Sequence, residues 1–372
     1  MIRDKNQKII PTFGFLVHPR DFDDVYKKYP ILKVLPNSVV GIILRNMSPV
    51  LVSKITGLKD REGNELLGYI VSIPITAKQM LKDKELAVAK MKEALLFCEN
   101  KGIKIVGLGA LTASLSHGGQ KLNDDKSKVV LTTGRIYTAK TVFSYAKDVI
   151  EKFQLNTKEL NVGIVGASGS IGSGCLELLL NYGVKNFTLV DIERKKEKLQ
   201  NRLNSLDKAG LLKNTNIKID HKIQSIQDGH LIITATNTPE AVISSDDIKK
   251  EGVIIINDAQ PSDLAEDLYS RNDVLIIEGG IIKTPGIKCN FNLGLADKEE
   301  TFSCLGEVLV LAYNNIFDKG FDINEFNVDA VKEFIEIEKG LNFSISQYQN
   351  KFGYVDEEKV LFVKNKIKYQ FK

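Results

Sequence analysis

The sequence is poor in the residues that build metal clusters and disulfide frameworks. Its 372 residues include only four cysteines (Cys98, Cys175, Cys289, Cys304) and four histidines (His18, His117, His221, His230), none at ligand spacing. That scatter excludes a structural metal site and a stapled extracellular scaffold, and it suits a reducing cytosol. No apolar run reaches the length of a membrane span. The opening stretch MIRDKNQKII carries neither an apolar h-region nor a small-residue cleavage site, so no secretory signal is expected and the expected compartment is the cytoplasm. Charge of one sign is scarce as well. The 51 basic and 47 acidic side chains leave a net +4 spread along the chain, so no nucleic-acid partner is expected. Repeats and low-complexity linkers are missing. What remains is 43% apolar and 26% charged, a soluble globular composition, at a length that fits two or three domains.

Hydrophobic periodicity predicts strands at 13–18, 39–44, 66–73 and 103–111, with helices over 78–100 and 137–153. Between Leu111 and Thr132 the Gly, Ser and Asp-rich stretch SHGGQKLNDDKSK reads as a loop where strands end. From Val162 the pattern alternates short apolar runs (VGIVG, FTLVD, HLIITAT, VIIIND, VLIIEG) with helical segments, which predicts a parallel sheet covered by helices. Beyond Asp297 helical patterns dominate. The expected class is therefore α/β, with an N-terminal α/β substrate domain (1–136), a central Rossmann dinucleotide-binding domain with its leading helix (137–296) and a helical C-terminal region (297–372).

The most specific local feature is Gly166-Ala-Ser-Gly169-Ser-Ile-Gly172, set between a predicted strand and a predicted helix. Glycines there allow a tight turn and bring backbone N–H groups at a helix N-terminus close to a pyrophosphate. Ser168 and Ser170 add hydroxyl donors, and Ile171 completes the turn. Asp191 ends the next strand 19 residues after Gly172, where a carboxylate accepts from a ribose diol. It repels a 2′-phosphate, which favours NADH over NADPH, although the flanking Arg194 and Lys195 leave NADPH open. Thr236, Asn237, Ala259 and Gly280 follow the ends of the later strands and are candidate cofactor contacts. Ordinary turn chemistry is the competing explanation for those four.

With these residues in place, the chain resembles the long-chain acyl-[acyl-carrier-protein] reductases of cyanobacteria and related proteins described as amino-acid dehydrogenases. The matching stretches are FGFLVHP, ITG (55–57), KGIKIVGLGALTAS (101–114), LTTGRIYTA (131–139), VGIVGASGSIGS (162–173), IIEGGII (276–282) and TFSCLGEVLVLA (301–312). The resemblance implies reduction of an acyl thioester to an aldehyde by NAD(P)H through a cysteine acyl-enzyme, with Cys304 as nucleophile. It also implies acyl-carrier protein or coenzyme A thioester as substrate. The chain departs from the family pattern where Arg135 replaces an amide, where Tyr137 replaces an imidazole, and where Asp191-Ile192 replaces an Ala-Arg pair suited to the phosphate of NADPH.

Periodicity alone makes Cys304 a core residue among Phe302, Leu305, Val308 and Leu309. Its activation turns on the helix start. A cap at Asp297 with Glu300 as capping-box partner leaves it two turns in, whereas a cap at Thr301 or Ser303 puts it in the first turn, where a thiolate is favoured. His117, in the SHGG loop, is a candidate general acid, with a solvent-facing ring as the plainer explanation. Ser114, Thr132, Thr133 and Thr138 are candidate substrate-positioning hydroxyls. Acidic carriers call for a basic surface, for which Lys195, Lys196, Lys198, Lys249, Lys250, Lys364, Lys366, Lys368 and Lys372 are candidates. Two other functions fit the same residues: an NAD-dependent dehydrogenase of a small amino or hydroxy acid without covalent catalysis, and a dinucleotide-sensing binding protein. The residues leave open whether the chain forms an oligomer.

Overall fold

The structure is a computed structural model, and it describes residues 12–122, 128–236, 238, 241–249, 251–259, 262–291, 293–320, 326 and 328–371. The chain divides into two compact units. One takes the described residues of 1–134, 284–324 and 334–343, the other those of 135–283, 325–333 and 344–372. The expected helical C-terminal region is therefore shared between two units and forms no third one.

The first unit opens with β1 (Thr12–Val17), α1 (Asn37–Asn46), β2 (Val50–Thr56), β3 (Leu67–Ser72), α2 (Lys84–Asn100), β4 (Ile103–Leu108) and β5 (Val130–Thr132). The strand order is β2-β3-β1-β4-β5, with the short strand Lys288–Cys289 outside β2. Strands β3, β1, β4 and β5 are parallel, and β2 runs antiparallel to β3. Leu16, Val71, Val106 and Leu131 from four strands meet Met91 and Leu95 of α2 in the core. This two-sided burial explains why the parallel strands read as apolar runs.

The strand expected at 39–44 is instead helical, within α1. Pro36 stands at its N-cap position, and Val40, Gly41 and Leu44 are buried at helical spacing. Val40 and Leu44 join Val25 and Tyr26 in a small core. Branched residues favour strands, but burying one helical face overrode that preference. The expected strand at 103–111 stops at Leu108, because Ala110 takes φ +50° and a short helix, Leu111–Leu115, follows.

The second unit begins with α3 (Arg135–Phe153), then β6 (Asn161–Val165), α4 (Ser170–Tyr182), β7 (Asn186–Val190), β8 (Asn216–Asp220), β9 (Leu231–Thr234), β10 (Val253–Asn257) and β11 (Val274–Glu278). All six strands are parallel, in the order β8-β7-β6-β9-β10-β11. Connections wind outward from the β6/β9 pair in opposite directions, which is the Rossmann order with its switch point between those two strands. On one face Val142, Tyr145 and Phe153 of α3 and Leu176 and Leu179 of α4 cover Ile164, Ile233 and Ile256. On the other, Val165, Ile232, Ile255 and Ile276 meet Leu264 and Leu268. Strand β8 escaped the sequence reading, since Asn216, Lys218 and Asp220 make it a polar edge strand.

The chain returns to the first unit at Thr284, and α5 (Ser303–Tyr313) follows there, with Leu305 through Ala312 all buried. Val308 occupies the space a side chain at Gly107 of β4 would need, so α5 lies directly on that strand. A helix apolar on nearly every side belongs inside a protein, which is where α5 sits, with Glu307 its one buried acid.

Candidate functional site

In the second unit the glycine turn sits at the switch point. Gly166 has φ +82°, and a Cβ on it would lie 2.5 Å from the Ala235 carbonyl oxygen after β9. Only glycine allows the two strand ends to approach so closely. The turn is tied to both neighbours, with Gly166 N–H donating to Val190 O at 2.9 Å and Ala235 N–H to Val165 O at 3.0 Å. Gly172 faces the Gly166 carbonyl, where a Cβ would lie at 2.4 Å. Gly169 is the N-cap of the 13-residue α4, and no side chain caps that helix. Its first-turn N–H groups, flanked by the partly exposed Ser170 and Ile171, suit an anionic group.

Asp191 follows β7, beside this turn. Its Oδ2 accepts from Ser168 N (2.9 Å) and Ser168 Oγ (2.6 Å), and its Oδ1 accepts from Ile192 N (2.8 Å) and lies 3.5 Å from Lys195 Nζ. The expectation that the Ser168 hydroxyl points to a pyrophosphate is corrected, because it is buried and spent on Asp191. Three hydrogen bonds take three of a carboxylate's roughly four lone-pair sites, which leaves one for a ribose hydroxyl beside the more distant Lys195. Ile192 and Arg194 are exposed just beyond it.

The later strand ends carry a polar network that the sequence reading largely missed. Thr234 donates to Asn257 Oδ1 at 2.8 Å, and Asn257 Nδ2 donates to both Glu278 oxygens at 3.2 and 3.3 Å. Thr236 is brought to this edge, but its hydroxyl donates to the buried Asp263 at 2.6 Å. Burial pushes the Glu278 carboxyl up to about 7, partly offset by the Asn257 hydrogen bond and the Lys351 charge. Desolvation, then the charges of Glu278 and Asp263, holds Asp258 well above the usual carboxylate range. The available signal was a polar residue and an acid closing two apolar runs, Asn257-Asp258 after VIII and Glu278 after VLII. Ala259 is buried and Gly280 partly exposed after these strands, whereas Asn237 lies outside the described residues.

In the first unit Cys304 is the second residue of α5, whose N-cap is Phe302 and has no side-chain cap. The cap is thus neither Thr301 nor Ser303, yet Cys304 does fall in the first turn. Asp297 and Glu300 form their own turn ahead of the short strand Glu300–Phe302, with Asp297 N–H donating to Glu300 Oε2 at 3.2 Å. Against Cys304 lies Gly134, on which a Cβ would be 2.4 Å from both Cys304 Cα and Cβ. Fully buried Glu307, one turn along α5, accepts from the Thr132 hydroxyl and, at 3.0 Å, from Gly134 N–H. Thr132 is therefore no substrate contact: its side chain is sequestered by Glu307. The clue to Glu307 was a single acid inside the apolar run FSCLGEVLVLA.

The other predicted residues are more dispersed. Thr133 is buried beside Thr132, and Ser114 donates to Leu111 O at 3.1 Å. Thr138 is buried in α3, in the second unit. His117 is exposed, with φ +53°. The histidine the sequence reading passed over is His18, just after β1. Its Nε2 accepts from Leu111 N–H at 3.3 Å, which leaves Nδ1 as the donor to Pro19 O at 2.9 Å, and burial lowers its pKa. Of the proposed carrier-docking lysines, Lys195 neighbours Asp191, Lys366 pairs with Glu251 at 3.5 Å and Lys368 donates to Gln154 at 2.9 Å. Lys250 and Lys372 lie outside the described residues. Among the described residues no group of His, Cys, Asp and Glu is placed to hold a metal ion, and no helix is long and apolar enough to cross a membrane.

No known family model matches the chain. Over 366 residues it is 23% identical to the aminotransferase PigE of Serratia sp., covering 95% of this chain and 42% of that protein. It is also 23% identical to the long-chain acyl-[acyl-carrier-protein] reductase of Synechococcus elongatus, covering 63% of this chain and 68% of the reductase. Similarity to the glutamyl-tRNA reductase of Methanocaldococcus jannaschii is 22%, over 58% of this chain and 50% of that enzyme. The chain thus spans less than half of the first of these proteins and half of the last.

Proposed function

We propose that this protein is a nicotinamide-dependent oxidoreductase that reduces an acyl thioester, carried on an acyl-carrier protein or coenzyme A, to an aldehyde through Cys304. The observation that carries the reading is the place of Cys304 in the first turn of a helix with no side-chain cap. The helix dipole there favours a thiolate, the reactive form of cysteine. The similarity to two reductases supports the same class. The residues fit a dinucleotide: the uncapped start of α4 and the Gly166–Gly172 turn would take its pyrophosphate, and Asp191 its ribose diol, with NADH preferred. When bound, the reduced nicotinamide supplies the hydride.

The Cys304 thiolate attacks the thioester carbonyl, forming a new C–S bond as the bond to the carrier sulfur breaks, and the carrier leaves as a thiolate that takes a proton from solvent. Hydride addition at the acyl carbon, with a proton from solvent taken up by its oxygen, yields a hemithioacetal on Cys304. As its C–Sγ bond breaks, the carbonyl re-forms, the hydroxyl proton is lost, and the aldehyde departs from a regenerated thiolate.

Intact mass tests the covalent step. Wild type and Cys304→Ala are mixed with acyl-CoA or acyl-carrier protein of several chain lengths, without reduced cofactor. An adduct of the acyl mass in wild type, absent from the variant and discharged by NAD(P)H, supports the reading. No adduct at any chain length rejects it in favour of a dehydrogenase of small amino or hydroxy acids, in which Cys304 only packs. Cofactor binding without turnover of either substrate class would leave a dinucleotide-sensing protein.

A further inference from the structure

Glu307 is an acid in the interior of an otherwise apolar helix, and none of the readings above employs it. It is 0% exposed, as is its partner Thr132. Burying a carboxylate is costly unless several donors satisfy it. Two of those donors come from one place: the Thr132 hydroxyl and the Gly134 N–H, at 3.0 Å, both reach Glu307 Oε1. They belong to the end of β5 and the turn that follows. On its other side that turn meets Cys304, since Gly134 has no room for a Cβ between itself and the Cys304 backbone. Cys304 and Glu307 are three residues apart on α5 and so share a helix face. The turn is held at one point by Glu307 and abuts the proposed nucleophile at another.

We propose that Glu307 is a positioning residue that latches the Thr132–Gly134 turn against Cys304 and so sets the geometry in which the thiol reacts. The inference rests on the proposed role of Cys304, but its geometric part can be read without any substrate. The latch needs an acceptor at Oε1 and no charge, because Gly134 N–H and the Thr132 hydroxyl only donate to it. A glutamine offers the same oxygen, whereas an alanine leaves a buried N–H and hydroxyl without it.

The test compares Glu307→Gln, Glu307→Ala and Thr132→Val in the full chain. In resting protein, labelling of Cys304 by iodoacetamide, followed by peptide mass, reports how the turn holds the thiol. Labelling is expected to rise several-fold in Glu307→Ala and to stay near wild type in Glu307→Gln. In the thioester assay Glu307→Ala should lose about 10²-fold in kcat, the scale of a 1 Å misplacement, with KM and NADH affinity within about twofold. Glu307→Gln should recover most of that loss. Thr132→Val keeps the Gly134 bond and should fall between them.

Equal damage in Glu307→Gln and Glu307→Ala would assign the role to charge and overturn the latch. So would a folded Glu307→Ala with wild-type labelling and kcat. If Glu307→Ala does not fold, Thr132→Val decides, and unchanged labelling and acylation in that variant overturn the proposal. Failure of the thioester reading is separate, because it appears as full activity or no adduct in the Cys304 comparison while the labelling result stands.

Discussion

Replacing Gly166 by alanine should damage the second unit in two distinguishable ways, and Gly210 in the same unit provides the control. Both glycines are left-handed, with φ +82° at Gly166 and +76° at Gly210. A Cβ at Gly210 meets nothing within 4 Å, whereas at Gly166 it would lie 2.5 Å from Ala235 O and 2.9 Å from Ala235 C. The left-handed conformation costs an alanine roughly 1–2 kcal/mol in either place. Reduced freedom of the unfolded chain returns about 0.4–1 kcal/mol. Gly210→Ala should therefore cost about 1 kcal/mol. Gly166→Ala adds overpacking of about 1–3 kcal/mol, because the atoms it strikes are backbone fixed by the Ala235–Val165 and Gly166–Val190 hydrogen bonds. Urea denaturation followed by circular dichroism should rank wild type above Gly210→Ala above Gly166→Ala, with unchanged m-values. Titration with NADH by fluorescence should show a loss of about tenfold or more for Gly166→Ala only, since the displaced turn leads into the uncapped start of α4. Equal destabilisation by the two substitutions, or wild-type NADH affinity in Gly166→Ala, would show that the Ala235 contact does not shape the turn.

Two further outcomes follow from the second unit. Asp191→Ala should weaken NADH far more than NADPH, measured as dissociation constants side by side, and an equal loss for both would contradict a carboxylate acting on the ribose diol. Glu278 gives a pH signature. Its folded pKa, about 7, lies above the ordinary glutamate value of 4.5. The folded state thus keeps a proton that the unfolded chain sheds, and the stability this contributes is full below about pH 4.5 and is lost as pH rises through 7. Glu278→Gln keeps an acceptor for Asn257 but removes the titration. Relative to wild type it should gain on the order of 3 kcal/mol at pH 8 and almost nothing at pH 4.5. Urea midpoints that differ by the same amount at both pH values would show that the effect is not the Glu278 proton.

Much of the second unit is local in character, and local character is legible. The runs VGIVG, FTLVD, VIIIND and VLIIEG are buried on both faces and announce parallel strands, and the glycine spacing marks the one turn where two strand ends nearly touch. Where burial was partial or one-sided, the pattern misled. The stretch 39–44 has the branched composition of a strand but forms a helix face against Val25 and Tyr26, and the polar edge strand β8 has too little apolar surface to reveal itself.

Five of the six strands of the second unit's parallel sheet, the glycine turn and the acid at the end of β7 are legible in local sequence, because each depends on neighbours within a few residues. What the individual side chains do depends on how distant segments pack. That packing committed the Ser168 hydroxyl to Asp191 and Thr236 to Asp263, and it placed Cys304 at a helix start that no side chain caps. It also brought Glu307 to Thr132 and Gly134, 173 residues or more away along the chain. A hydrogen bond is directional and short, so which donor meets which acceptor is settled where separate segments converge.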